Sequence, residues 1–217
     1  MQNQFFQFIQ KGGPYIMVPL LICSVIAVAV IIERTIALFR ASSDTGRLME
    51  DVKDAVMSGN VKAAVELAEN TQGPAAAVIA NGLRNYKLDQ SEIERTMEEL
   101  ALAEVPELSK RLAWLDTIVT LAPLLGLLGT VTGMIRAFHF VGGAGAKNIT
   151  AVTGGVAEAL YATATGLTVA VVSLVFYNLL TDKVREIVGT MELRATQLLN
   201  VISTMRSREE TNRTVSR

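Results

Sequence analysis

Three nearly uncharged, apolar stretches divide the chain, at residues 14–32, 118–135 and 149–180. A transmembrane α-helix needs about 20 such residues in succession, and each stretch is near or above that length. A soluble bundle with three buried helices is the alternative, but runs of this length leave no polar face for water. The pattern therefore predicts an all-α membrane protein with three transmembrane helices.

The polar segments between the stretches also have helical patterns. Two short helices are predicted over residues 51–57 and 61–70, and a third from Pro74 to near Asn85, because Gly and Pro interrupt the pattern between them. No alternation of β-branched residues indicates a strand. We therefore expect a small helical domain between the first and second spans.

A longer helix is predicted to lead into the second span. Ser91 and Glu94 fit a capping box that would begin it. If the helix is unbroken to Phe140, it would be about 75 Å long at 1.5 Å per residue. Pro106 lies inside it and is a candidate for a kink. Long helices are thus expected to extend from the membrane into the helical domain.

The positive charges indicate the orientation of the chain. Of the 20 Lys and Arg residues, ten lie within residues 34–111 and seven within residues 183–217. Positively charged loops stay on the cytoplasmic side of a membrane, so the N-terminus is expected outside and the C-terminus inside. The predicted segments are an outer interfacial amphipathic segment (1–13), transmembrane helix 1 (14–40), a cytoplasmic helical domain (41–110), transmembrane helix 2 (111–140), an outer turn (141–149), transmembrane helix 3 (150–181), and a cytoplasmic helix with a tail disordered from residue 206 (182–217).

The composition agrees with a membrane protein and excludes several functions. Half of the residues are hydrophobic, and the mean hydropathy is +0.36. The net charge of −1 supplies no basic surface for nucleic acid. Cys23 and His139 are the only residues of their types, so neither a metal site nor a nucleophile–base couple can be assembled within the chain. We expect no cofactor and no enzymatic activity.

Glu158 is the charged residue inside the third stretch. A charge near the middle of a membrane costs roughly 2.5–3.5 kcal/mol, so such a residue usually faces a cavity, a pore or a partner. An ion or proton pathway is the functional interpretation. The alternative is a glutamate near a helix end that reaches water.

Small and hydroxyl residues are concentrated in the second and third stretches. Glycines on one face of a transmembrane helix allow close helix packing. The predicted packing residues are Gly126, Gly129 and Gly133. Thr130, Thr163 and Thr165 add hydroxyls, although a threonine can also bond to the carbonyl one turn back and serve packing alone. Since Thr163 lies about 140° from Glu158 around the helix, one narrow seam cannot contain both.

Two polar residues near the outer end of the second span each have two candidate roles. His139 is expected to lie at the membrane interface, with a proton relay as the alternative. Arg136 is expected to be an anchor that reaches the head groups, with a filter at the pore mouth as the alternative.

Three motifs resemble the TolQ/ExbB branch of the MotA/TolQ/ExbB proton-channel family. The first is Gly12-Gly13-Pro14 with Pro19 and Glu33-Arg34 downstream. The second and third, which are more specific, are residues 122–131 (APLLGLLGTV) and 157–167 (AEALYATATGL). Three spans fit this branch better than the four-span MotA proteins. Thr132 and Val172 depart from the family pattern, in which Trp and Pro are common at those positions.

The resemblance implies a bacterial inner-membrane stator subunit that forms a homopentamer. The ring would surround an ExbD/TolR-like single-span partner whose membrane aspartate carries the proton, and a TonB/TolA-like protein is a further candidate partner. By motif position, Thr130, Glu158 and Thr163 match the residues of the ion pathway, and Thr165 is a candidate for its lining.

Two functions remain open at this point. The first is an ion channel that couples the proton-motive force to mechanical work on a periplasmic or outer-membrane system. The second is a non-conducting scaffold in the lipid bilayer that holds a partner helix through Glu158. The choice between H⁺ and Na⁺ also remains open.

Overall fold

The computed structural model describes residues 12–42, 45–144 and 149–215, which are almost entirely helical and contain no strand. The helices are α1 (Pro14–Ala41), α2 (Thr45–Met57), α3 (Val61–Asn70), α4 (Pro74–Arg84), α5 (Gln90–Leu108), α6 (Leu112–Ala144) and α7 (Ile149–Val215). Within α1, α6 and α7 lie windows long and apolar enough to cross a membrane, with mean hydropathies of 2.8, 2.0 and 1.9. The chain is an all-α membrane protein, as predicted.

The chain divides into two compact units. One consists of Met1–Arg34 and Arg111–Leu179 and contains the apolar parts of α1, α6 and α7. The other consists of Thr35–Lys110 and Leu180–Arg217. Of the predicted interfacial segment, only Gly12 and Gly13 belong to the described residues.

Both small and large residues are buried between the helices of the first unit. The buried alanines are Ala27, Ala122, Ala137, Ala159, Ala162 and Ala170. Large buried side chains include Met17, Leu20 and Leu115, whereas Val25, Leu127 and Val171 are exposed in the single chain. In lipid, small residues allow helices to approach closely, and the buried alanines are consistent with such packing.

Helices α2 to α5 and the C-terminal half of α7 form the second unit. The central helix is α4, in which Val78, Ile79 and Leu83 are fully buried. Gly82 lies so close to α7 that an added Cβ would be 2.6 Å from Leu198 Cδ2. The guanidinium of Arg206 donates a hydrogen bond to the Tyr86 carbonyl oxygen at 2.5 Å. This carbonyl lies in the turn after α4, so the bond ties that turn to the end of α7. This unit packs like a soluble domain.

The predicted long helix before the second span is interrupted. Helix α5 begins at Gln90 after Asp89, so the prediction of Ser91 as the N-cap is wrong. It ends at Leu108, two residues after Pro106, and Arg111 adopts a left-handed backbone conformation with φ of 63° before α6 begins. Arg111 Nη1 lies 3.2 Å from Glu33 Oε2 on α1. The break therefore coincides with an ion pair to the first helix.

Helices α6 and α7 are longer than the sequence predicts. Helix α6 continues through Ala144, into the segment predicted as an outer turn. Helix α7 continues without interruption to Val215, so the predicted disorder from Arg206 onward is wrong up to that residue. Buried Val201, Ile202 and Met205 show the reason, since the end of α7 packs into the second unit.

Candidate functional site

Helices α6 and α7 approach each other most closely along the glycines of α6. A Cβ on Gly126 would be 3.1 Å from Thr163 Cα, and a Cβ on Gly133 would be 3.0 Å from the Gly155 carbonyl oxygen. A Cβ on Gly129 would overlap the Cβ of Ala162. Since backbone atoms of the two helices lie this close together, a side chain at any of these positions would require α6 or α7 to shift.

The hydroxyl of Thr163 forms a hydrogen bond across this interface. Its Oγ1 donates to the Gly126 carbonyl oxygen at 3.0 Å. Thr130, one turn after Gly126, is half-buried, and its Oγ1 donates within α6 to the Leu127 carbonyl at 2.6 Å. Because Thr130 lies about 40° from Gly126 around α6, we assign Thr130 and Thr163 to the same edge of the α6–α7 interface, which we call the threonine edge.

Glu158 forms an ion pair with Arg136. Arg136 Nη1 lies 2.6 Å from Glu158 Oε1, and the two side chains are 42% and 25% exposed. The Arg136 side chain thus turns toward α7, a contact that the prediction of a head-group anchor did not include. The Glu158 carboxylate already has a partner within its own subunit.

The first helix completes the surroundings of this pair. The Arg136 guanidinium lies over the ring of Tyr15, with its Cζ 5.8 Å from the ring centroid. Gly13 has φ of +78°, and a Cβ there would overlap Glu158 Oε1. A favourable cation–π contact and a backbone without a side chain therefore bring the start of α1 against both charged groups.

The predicted pathway residues are divided between two edges. Thr163 lies about 140° from Glu158 around α7, and Thr130 lies about 120° from Arg136 around α6. Helix α1 lies against the edge that carries Arg136 and Glu158, where Ile16 Cγ2 would be 3.3 Å from a Cβ on Gly129. We call this the α1 edge. The structure does not bring Glu158 together with Thr130 and Thr163.

Thr165 also lies away from the threonine edge. Two residues along a helix are about 160° apart, so Thr165 and Thr163 lie on nearly opposite sides of α7. Its Oγ1 donates within α7 to the Tyr161 carbonyl at 2.8 Å. Thr165 is therefore closer in direction to Glu158 than to Thr163.

The sequence analysis missed the role of Arg136 and Tyr15 in the surroundings of Glu158. A signal for Arg136 was present, because Arg136 and Glu158 carry opposite charges and lie toward the facing ends of two consecutive apolar stretches. Two consecutive spans are antiparallel, so both residues belong to the same side of the membrane. Opposite charges at one depth in an apolar environment are expected to pair.

The comparisons with known proteins agree with the resemblance found in the motifs. Residues 70–193 match the model of the MotA/TolQ/ExbB proton channel family. The chain is 37% identical to the biopolymer transport ExbB-like 3 protein of Synechocystis sp., over 77% of this chain and 80% of that protein. It is 39% identical to the biopolymer transport protein ExbB of Aquifex aeolicus, over 50% of this chain and 72% of that protein.

A relative from the Tol branch is also similar. The Tol-Pal system protein TolQ of Haemophilus influenzae is 39% identical over 44% of this chain and 43% of its own length. The family match covers the second and third spans, including the threonine edge and the Arg136–Glu158 pair. On this evidence, the chain belongs to the MotA/TolQ/ExbB proton channel family.

Proposed function

We propose that the chain is the ring-forming subunit of a stator that uses the proton-motive force to do mechanical work on a periplasmic or outer-membrane system. It acts with an ExbD/TolR-like single-span partner that carries a membrane aspartate, and a TonB/TolA-like protein is the candidate recipient of the work. Membership of the proton channel family supports proton transport. Similarity to proteins named ExbB and TolQ supports this type of partner.

We place the protein in the bacterial inner membrane, with the N-terminus in the periplasm and the C-terminus in the cytoplasm. The distribution of Lys and Arg supports this orientation, because most of them lie within residues 34–111 and 183–217. The second unit, which packs like a soluble domain, consists largely of these residues. It would therefore lie on the cytoplasmic side.

The threonine edge is the observation that carries the proposal. It presents two half-buried hydroxyl residues, Thr130 and Thr163, on helices whose other exposed residues are mostly apolar. In a homopentamer with this edge toward the centre, each threonine position forms a ring of hydroxyl groups around the partner helix. Each hydroxyl donates its hydrogen to a carbonyl of its own subunit, so its oxygen can accept a hydrogen bond from a protonated aspartate. A hydroxyl that rotates away from that carbonyl can donate to an ionised aspartate instead.

The position of α1 is compatible with this arrangement. Helix α1 packs on the α1 edge, so it lies away from the centre of the ring when the threonine edge faces inward. Its outward side chains include Ile22, Val25 and Val28, which are at least half-exposed in the single chain and suit contact with lipid. Glu158 then lies at the α1 edge inside the subunit, and not among the threonines that surround the centre of the ring.

Proton flux in vesicles tests the proposal. The complex with a co-expressed ExbD/TolR-like protein is reconstituted, and flux is measured with a pH-sensitive dye against a sodium-gradient control. We expect Thr163→Val and Thr130→Val to reduce partner-dependent proton flux by about tenfold or more, since each removes one hydrogen-bonding group from the pathway. Thr168→Val is the matched control, because Thr168 is exposed about 140° from Thr163 and bonds only to the Ala164 carbonyl.

The alternative is a non-conducting scaffold that holds a partner helix through Glu158. The bond between Glu158 and Arg136 of the same subunit disfavours it, because a carboxylate engaged at 2.6 Å has less capacity for a partner. A wild-type complex that co-purifies with its partner, yet passes neither protons nor sodium ions under an imposed gradient, would favour the scaffold and reject the channel.

A further inference from the structure

We propose that Arg136 is a positioning residue for Glu158, and that the two form a fixed ion pair that joins the three spans at the α1 edge. Glu158 then does not itself load or release the transported proton. This inference rests on the proposed function, and it assigns different roles to the two edges. The threonine edge conducts, and the α1 edge holds the subunit in its conducting form.

The first support is the geometry of the pair. Arg136 Nη1 and Glu158 Oε1 are 2.6 Å apart on neighbouring helices, a distance typical of a charge-assisted hydrogen bond. The Glu158 side chain is only 25% exposed in the single chain. A carboxylate that carries protons along a pathway needs access to that pathway, whereas this carboxylate is directed at a permanent cation.

The second support is the fit of α1 around the pair. The φ of +78° at Gly13 is accessible to glycine without strain, and the absence of a Cβ at this residue leaves the space that Glu158 Oε1 occupies. The Tyr15 ring lies against the Arg136 guanidinium. Each of the two charged groups is therefore contacted by a different residue at the start of α1, so the pair connects α1, α6 and α7.

The third support is the direction in which the Glu158 and Thr163 side chains leave α7. Glu158 and Thr163 point about 140° apart around α7, so a pathway along the threonine edge does not pass the Glu158 carboxylate of the same subunit. A conducting role for Glu158 would require it to leave Arg136 and Gly13. In that case Arg136 would remain as an uncompensated charge in the membrane.

A double-mutant cycle separates a positioning pair from a proton-carrying carboxylate. Removal of one member of a buried ion pair leaves the other uncompensated, whereas replacement of both by neutral groups is often tolerated. The variants are Arg136→Gln, Glu158→Gln and the double variant Arg136→Gln/Glu158→Gln, each with the co-expressed partner. Arg136→Lys keeps the charge and serves as the conservative control.

Two measurements are made on each variant: the thermal midpoint of the ring in detergent, and proton flux per assembled complex. We expect each single Gln variant to lower the midpoint by about 5–10 °C and to lower the flux about tenfold. We expect the double variant to recover most of both quantities, and Arg136→Lys to retain more flux than Arg136→Gln. Recovery of flux is the decisive result, because a double variant that lacks a proton-carrying carboxylate would recover only the midpoint.

The proposal is overturned if the double variant assembles normally but conducts no better than Glu158→Gln, since Glu158 would then be required as an acid. Equal thermal midpoints in all variants would also overturn it. If the wild-type complex itself does not conduct, the proposed function fails, and the midpoints still decide whether the pair joins the three spans.

Discussion

The hydroxyl of Thr163 on α7 donates to the carbonyl oxygen of Gly126 on α6, at 3.0 Å. The bond is possible because a Cβ is absent at Gly126, where it would be 3.1 Å from Thr163 Cα. Farther along the pair of helices, Gly129 meets Ala162, and Gly133 meets Ala159 and Gly155. These contacts set both the depth and the rotation of α7 against α6, and they direct Thr163 and Glu158 to different edges.

The contact between Gly129 and Ala162 predicts the effect of a larger side chain. We expect Gly129→Leu to prevent close approach of α6 and α7 and to abolish recovery of the assembled ring in detergent. Leu128→Ile is the matched control, because Leu128 is exposed and the substitution nearly conserves volume. Equal yields of ring for the two variants, measured by size-exclusion chromatography, would contradict the packing assignment.

Gly13→Ala tests the fit of α1 at the ion pair. The added methyl group overlaps the Glu158 carboxylate, and the φ of +78° is unfavourable for alanine. We expect a loss of stability above about 1 kcal/mol, measured by thermal unfolding in detergent. Gly59→Ala is the control, since Gly59 has nearly the same φ of +79° but nothing within 4 Å of its added Cβ. An equal loss in both variants would show that only backbone strain matters at Gly13.

Gly82→Ala tests the centre of the second unit. The added Cβ would overlap Met97 Sδ and lie 2.6 Å from Leu198 Cδ2, so these two buried side chains would have to shift. We expect destabilisation of about 1–3 kcal/mol, as for other overpacked cores. Gly189→Ala in α7 is the control, and it should stabilise by about 0.5–1 kcal/mol, because nothing lies near its Cβ and alanine favours the helix. In a denaturation experiment, we expect the free energy of unfolding to fall for Gly82→Ala and to rise for Gly189→Ala.

Thr165→Val distinguishes the two sides of α7. Thr165 bonds only within α7, and it points about 160° away from Thr163. We expect partner-dependent proton flux to remain within about twofold of the wild type, since the hydrogen bond that is lost lies within α7 and away from the threonine edge. A loss of flux as large as that of Thr163→Val would show that the pathway extends beyond the threonine edge.

Several helix boundaries were predictable because local chemistry sets them, although α2 begins at Thr45 and not at residue 51 as predicted. Helix α1 begins at Pro14, α3 covers Val61–Asn70, and α4 begins at Pro74, all as predicted. At each of these boundaries the chain has Pro, Gly or Asn, whose backbone preferences act within one or two residues. Such preferences can be recognised without knowledge of the tertiary structure.

Predictions that depended on more distant contacts were wrong. The break at Ser109–Arg111 accompanies an ion pair between Arg111 and Glu33, which are far apart in the sequence. The end of α7 is helical because Val201, Ile202 and Met205 are buried in the second unit. Composition suggested disorder there, but most helical stability in proteins comes from packing.

The sequence by itself determined that this chain is an α-helical membrane protein. It also determined where the three membrane spans lie and which residues within them are polar. Length and hydropathy suffice for this, because the bilayer imposes the same requirement on every spanning helix. Only the tertiary structure decided that Glu158 faces Arg136 and Gly13, whereas Thr163 faces Gly126. The rotation of a helix about its axis depends on where a neighbouring backbone can approach, and in lipid that is decided by glycines and alanines on both partners.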